Sequence, residues 1–373
     1  MRTTARLVAI ALLGMTTAVA GAQQRELTRI LDSVRAATDL PALGAAIVTS
    51  DSVLALDVVG VRRLGDTTRA TKNDLFHIGS DTKAMTAGLL GLLVDRGRLK
   101  WTSTLAELFP DLAAGMRPEY RTLQVRELLS HQSGLVPNPT IAFNDGTPRA
   151  QRVAFLKWVL AQPPATERGK YSYANSNYIV AGAIAERLLD GEYEALVVDQ
   201  LLRPLGITSV GFGAPGTPGR VDQPWPHTVN AAGKPRPVPP GPDADNPPVF
   251  GPAGRAHLTL ADWSIWIRTV LRAARGGPSP WTAATAKALV TPVVQLDPAT
   301  GYAFGWLVTT RPWAGPGGRA ITHAGSNTAN FAVAWIAPEA NFAVLVVTNQ
   351  GGDAAARDAD GLAGRLILLH TQR

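Results

Sequence analysis

The sequence predicts an α+β protein, with one antiparallel sheet built from both chain ends, flanked by helices, and an inserted, mainly helical lobe. Three observations predict it. Strand-like apolar runs occur near residues 43–59 and again near 304–347. Helical periodicity fills much of the region between, interrupted by loops bearing Pro and Gly. Residues 214–252 hold 12 prolines, too many for regular elements, and read as a long loop with Trp225, Val238 and Phe250 as apolar anchors.

In chain order, Arg2 and Arg6 precede the apolar run Leu7 to Leu13, and small residues end at Ala20-Gly21-Ala22. This pattern reads as a signal peptide over residues 1–22, giving a periplasmic or secreted protein with no stable membrane insertion. The chain has no cysteine, so no disulfide can form, and with none near the cleavage site a bacterial lipid anchor is not expected. Leu27, Ile30, Leu31 and Val34 give a helix over Glu26 to Thr38. Strands follow at Leu43 to Thr49 and Val53 to Val59, with Ser50-Asp51 as the turn.

Met85, Leu89, Leu92 and Leu93 give the next helix, from Thr82 to Arg96, burying one face and ending at Gly97. Helices are also expected at Val125 to Leu129, about Asn177 to Leu189, about Leu260 to Ala274 and about Ala354 to Leu369. Strands are expected at Phe304 to Val308, Ala320 to His323, Phe331 to Ile336 and Phe342 to Val347. The implied division is residues 23–98 with 301–373 for the sheet lobe and 99–300 for the helical lobe. A site belongs in the cleft between them, along the helix that both share.

The formal charge of +7 comes from arginines spread along the chain, with no block longer than Arg62-Arg63. That is a basic, solvated surface, and no nucleic-acid partner is expected. The six histidines lie far apart, without H-E-x-x-H, so no metal or other cofactor is expected. Gly211-Phe212-Gly213-Ala214-Pro215-Gly216 fits a dinucleotide pattern in spelling alone, because a Pro-rich loop follows it instead of a helix.

Three motifs carry chemistry. Ser80 and Lys83 form the single S-x-x-K pair among 13 serines and seven lysines, and it opens the 82–96 helix. Residues three apart share a helix face, so hydroxyl and amine point the same way. A desolvated lysine at a helix N-terminus is pushed toward the neutral amine, which can accept a serine proton. Tyr173 and Asn175 lie two apart in a loop and can face one cleft, Tyr173 being a proton acceptor if neighbouring cations lower its pKa. His323, Gly325 and Ser326 end a strand-like run, where glycine lets the backbone approach a ligand. His131 and His257 read as structural.

Together these motifs resemble the serine hydrolase superfamily of class C β-lactamases, D-Ala-D-Ala carboxypeptidases and related esterases. The order S-x-x-K, Y-x-N, H-x-G matches that family, as do the stretches Leu128 to Leu135, Pro204 to Ile207 and Gly251 to Gly254. The resemblance implies Ser80 as nucleophile, with Lys83 and Tyr173 moving its proton. It implies Asn175 as holder of the Lys83 amine or the substrate amide, and the N–H groups of Ser80 and Ser326 as an oxyanion hole.

One departure is chemical. Typical β-lactamases of this group carry Lys-Thr-Gly where this chain has His323-Ala324-Gly325. A neutral imidazole binds a carboxylate poorly. The expectation is therefore an exported esterase or D-peptidase acting on a small-molecule or peptide acyl substrate, with weak or no β-lactamase activity. The alternatives are a β-lactamase proper, or a non-catalytic envelope-binding protein of the same fold. Asn138 and the 214–252 loop are the expected pocket neighbours.

Overall fold

The computed structural model describes residues 21–372. Residues 1–20 of the expected signal peptide lie outside that range. The strands are β1 Ala42–Val48, β2 Val53–Gly60, β3 Leu75–His77, β4 Gly211–Phe212, β5 His227–Val229, β6 Pro235–Pro237 and β7 Ala256–Thr259. They continue with β8 Val294–Asp297, β9 Thr300–Tyr302, β10 Leu307–Thr310, β11 Arg319–Ser326, β12 Phe331–Ala337 and β13 Phe342–Thr348. The helices used below are α1 (residues 21–37), α2 Thr82–Asp95, α3 Val125–Leu129, α4 Pro148–Val159, α5 Asn175–Leu189, α6 Leu260–Ala274, α7 Ala283–Leu289 and α8 Asp353–Thr371.

Eight strands form one sheet in the order β2-β1-β13-β12-β11-β10-β9-β8. Every neighbouring pair is antiparallel. The two chain ends meet where β1 pairs with β13, Leu43 opposite Thr348 and Val48 opposite Ala343. Both strands are buried on both faces, and their side chains alternate between two cores. Leu43, Ala45 and Ile47, with Val344 and Val346, pack against Leu27 and Leu31 of α1 and Leu362 and Leu366 of α8. Ala42, Ala46 and Val48, with Leu345 and Val347, face the larger core that includes α2 and the helical lobe.

Several elements differ from expectation. Helix α2 is buried all round, not along one face, because the sheet side and the helical lobe both pack on it. Its small residues allow this: a Cβ on Gly88 would sit 2.9 Å from the Trp281 ring and 3.0 Å from Trp266. Helix α5 starts at Asn175, two residues early, so Asn175 is helical instead of a loop residue. The strand expected at Phe304 to Val308 begins at Leu307, and Phe304 turns into the core against Trp101, ring centroids 4.9 Å apart.

Strands β8 and β9 gave no clear pattern, being short and, in β8, mostly exposed. With β8 in the main sheet and α6 lying on β1 and β13, sheet-associated residues extend to the far side of the boundary expected at 301. The 214–252 segment is not featureless. It holds the β5–β6 hairpin and single 3₁₀ turns at Pro242–Ala244 and Pro248–Phe250. Among the described residues no helix is long and apolar enough to cross a membrane.

Candidate active site

Strand β3 delivers the chain to Ser80. It pairs with β7, and the Ile78 amide continues the ladder to the Ala256 carbonyl at 3.0 Å. A 3₁₀ turn, Gly79–Asp81, then leads into α2. Gly79 has φ +50°, and a Cβ there would lie 2.6 Å from the carbonyl carbon of Gly325. A Cβ on Gly325 would lie 2.7 Å from the Ser80 nitrogen. Glycine at both places lets the turn and the end of β11 touch backbone to backbone, which brings the Ser80 and Ser326 amides into one neighbourhood.

The polar groups around Ser80 form a complete set. Lys83 Nζ lies 2.9 Å from Ser80 Oγ, 2.7 Å from Asn175 Oδ1 and 2.6 Å from the Ala253 carbonyl. Tyr173 donates its hydroxyl to Ser80 Oγ at 2.8 Å. Lys83 is fully buried, and burial lowers its pKa well below the usual lysine value, against a smaller raising effect of Asp81. A neutral amine has two N–H groups and one lone pair. The two donors fit Asn175 and Ala253, and the lone pair is left for the Ser80 hydroxyl proton. With an ammonium instead, Ser80 Oγ would accept from both Lys83 and Tyr173 and its own hydrogen would lack a partner among these groups. Burial therefore favours the free amine, and its lone pair then meets the Ser80 hydroxyl.

Tyr173 departs from expectation. Burial of its hydroxyl end raises its pKa, so it is a phenol and a donor, not a phenolate. The residue as a whole is nonetheless 37% exposed. Its backing is His131, whose ring centroid lies 4.4 Å away.

His323 is buried and faces the protein. Burial and the nearby Lys83 push its pKa down to about 3, so the imidazole is neutral. Its Nε2 meets the Tyr302 hydroxyl at 3.2 Å, and the same hydroxyl meets His131 Nε2 at 3.2 Å. His131 Nδ1 accepts from the Ala174 amide at 3.2 Å and lies 3.1 Å from Asn177 Nδ2. Its proton is consequently on Nε2 and is donated to the Tyr302 hydroxyl, while His323 Nδ1 has no partner among the described residues. Of the expected site residues, Ser80, Lys83, Tyr173 and Asn175 are joined directly. Gly325 and Ser326 contact the Gly79–Ser80 backbone, and His323 stands behind Tyr173, ring centroids 6.4 Å apart.

Sequence reasoning missed His131, Tyr302 and Asp81 as neighbours of the site, whereas Asn138 and His257 stand as expected. His131 and Tyr302 position the ring layer; the positive φ of His131, +58°, shows how the Leu128–Leu135 stretch bends to place it. Asp81, beside the serine, is buried with neither oxygen meeting a donor on another residue, and burial raises its pKa well above the carboxylate range. Asn138 accepts from Asn175 Nδ2 at 2.8 Å. His257 sits in β7 with Nδ1 2.8 Å from the Gly213 carbonyl, a structural contact. The carboxylates Glu186, Glu192 and Glu194 come close enough to share a cation. The Arg152 guanidinium fills that role, 2.6 Å from Glu186 and 2.7 Å from Glu194.

The fold and the Ser80–Lys83–Tyr173 constellation define the class of protein: a β-lactamase/transpeptidase scaffold presenting a serine to a buried amine. The family model described as Beta-lactamase matches residues 27–369, and the chain belongs to that family of serine hydrolases. Penicillin-binding protein 4 of Amycolatopsis lactamdurans is 27% identical over 329 residues, covering 86% of this chain and 84% of that protein. An unguisins hydrolase of Aspergillus campestris is 27% identical over 256 residues, covering 64% of this chain but 46% of that protein. The fold is shared with the octameric penicillin-binding protein homologue of Pyrococcus abyssi, with TM-score 0.72 and 19% identity over 94% of this chain and 77% of the other. It is shared equally with a class C beta lactamase of Rhodobacter sphaeroides, with TM-score 0.73 and 18% identity over 93% and 99% of the two chains.

Proposed function

We propose that this chain is an exported serine hydrolase that cleaves an ester or amide through an acyl-enzyme on Ser80, in the manner of an esterase or D-peptidase. The observation that carries the reading is the placement of Ser80 Oγ 2.9 Å from the Lys83 amine and 2.8 Å from the Tyr173 phenol. In this reading Lys83 takes the hydroxyl proton as Oγ attacks the acyl carbon. The Ser80 and Ser326 amides stabilise the negative charge that develops on the carbonyl oxygen. Tyr173 gives its proton to the departing oxygen or nitrogen, and the Lys83 ammonium restores it. Water then hydrolyses the ester on Ser80 by the reverse route.

His323 argues for a substrate without a carboxylate at the position where a β-lactam carries one. A neutral imidazole with a pKa near 3 offers no cation there at neutral pH. Weak or absent β-lactamase activity follows. Export rests on the basic, apolar and small-residue pattern of residues 1–22.

The test is covalent labelling. A fluorophosphonate should add to the wild type and not to Ser80→Ala, as read by intact mass. No adduct with any acylating probe would replace the enzyme reading with a binding protein of the same fold. Turnover of p-nitrophenyl esters, D-Ala peptides and a chromogenic cephalosporin then sorts the substrate class. Strong cephalosporin hydrolysis would overturn the prediction drawn from His323.

A further inference from the structure

Asp245 lies between the two 3₁₀ turns of the Pro-rich segment, far from Ser80 in sequence, yet its side chain is only 1% exposed. One carboxyl oxygen lies 3.0 Å from His77 Nε2, and the other accepts from Asn327 Nδ2 at 2.8 Å. The amide of Asn246 also donates to it, at 2.8 Å. The Arg255 guanidinium is 3.4 Å away, an ion pair without hydrogen-bond geometry. Burial alone would raise the carboxyl pKa, but the contacts with His77, Asn327 and Arg255 outweigh it and hold Asp245 below the usual range, as a carboxylate.

The two principal partners are not arbitrary. His77 Nδ1 accepts the Gly79 amide at 3.0 Å, so its proton is on Nε2 and is donated to Asp245. Gly79 immediately precedes Ser80, and Asn327 immediately follows Ser326. One carboxylate thus holds, from behind, both backbone segments whose amides the proposed reaction needs. Ser80 and Ser326 lie 246 positions apart in the chain, and no ladder bond of the main sheet joins their segments.

We propose that Asp245 and His77 are positioning residues that fix the spacing of the Ser80 and Ser326 amides, and that the 214–252 loop serves catalysis by delivering this carboxylate. The inference rests on the acyl-enzyme reading. Its physical content is preorganisation: donors aimed at the oxyanion act only if they are already in place when charge develops. A loosened clamp costs transition-state stabilisation and leaves ground-state binding nearly intact. His77 and Asn327 meet different carboxylate oxygens, and Asp245→Asn turns one of these into a donor amide, so one of the two partners loses its acceptor.

The experiment uses the whole mature chain with p-nitrophenyl acetate, and benzeneboronic acid as a tetrahedral mimic on Ser80. Asp245→Asn should lower kcat by about 10- to 100-fold, the scale of an ångström-sized misplacement, with KM within about threefold. Boronate affinity should fall in step with kcat. His77→Asn keeps an acceptor for the Gly79 amide but breaks the link to Asp245, and should reproduce part of the loss. The double variant should be little worse than Asp245→Asn alone, because both act through one contact. If Asp245→Asn does not fold, the His77→Asn kinetics and boronate affinity decide. Unchanged kcat and boronate affinity in a folded variant, or a loss confined to KM, would overturn the inference. Failure of the wild type to take up fluorophosphonate would instead remove the underlying reading.

Discussion

At the scale of single residues, the site is an inventory of protons. Lys83 has three polar neighbours and, as a free amine, two hydrogens and one lone pair to meet them. Its pKa is lowered by burial, so the base form persists well below pH 10.5 and is lost as pH falls through the lowered value. The acid limb of kcat/KM should therefore report this amine, with activity rising as pH increases. Tyr173→Phe removes the proton donor while keeping the ring on His131. That variant should lose about 10²- to 10⁴-fold in kcat, the usual size of a general acid contribution, and keep the acid limb. Loss of the limb in Tyr173→Phe would assign it to the phenol instead. Ser80, Lys83, Tyr173 and Asn175 were legible because short spacings, three and two residues, placed each pair on a common side. Asp245, Tyr302 and the Ala253 carbonyl have no such spacing to Ser80, and only packing brings them there.

At the scale of elements, α2 is the shared wall of both lobes. Its periodicity announced a helix but not its burial, since all of Thr82 to Leu93 is enclosed. Leu89 is fully buried in the core that joins sheet and helical lobe. Leu89→Ala should cost about 2–5 kcal/mol, as removal of a leucine side chain from a packed core does. The measurement is the urea midpoint, corrected for any change in slope; a cost below about 1 kcal/mol would mean that the core collapses around the gap. Helices α3 and α6 fall on the expected residues because capping and apolar periodicity are local properties. Strands β8 and β9 depend on partners in the sheet, and strand pairing is a tertiary decision.

At the scale of the molecule, several histidines are buried as neutral groups. Burial pushes His323 to about 3, His257 to about 4 and His131 well below its usual value. An unfolded histidine titrates near 6.5, so between pH 6.5 and these lowered values the unfolded chain binds more protons than the folded one. The stability that these rings contribute is thus fully present above about pH 6.5 and is lost as pH falls toward 3, at up to about 1.4 kcal/mol per pH unit for each, while the raised pKa of Asp81 acts in the opposite sense. Lys83 acts in the same sense as these rings, at higher pH, since its folded pKa is also lowered. Urea midpoints should fall from pH 7 to pH 4, and the fall should be reduced by His257→Asn, which removes one of the titrating rings. A flat profile would contradict neutral burial of these rings.

The sequence by itself determined the elements whose signals are local: the paired terminal strands, the main helices, and the short-range couples Ser80–Lys83 and Tyr173–Asn175. Tertiary structure decided that Tyr173 is a phenol and supplied the burial and the distant partners that hold Lys83 as the free amine its sequence position suggested. It also decided which carboxylate braces the Ser80 and Ser326 backbone. Hydrogen bonds act over about 3 Å of space whatever the separation along the chain, and only the folded chain sets those distances.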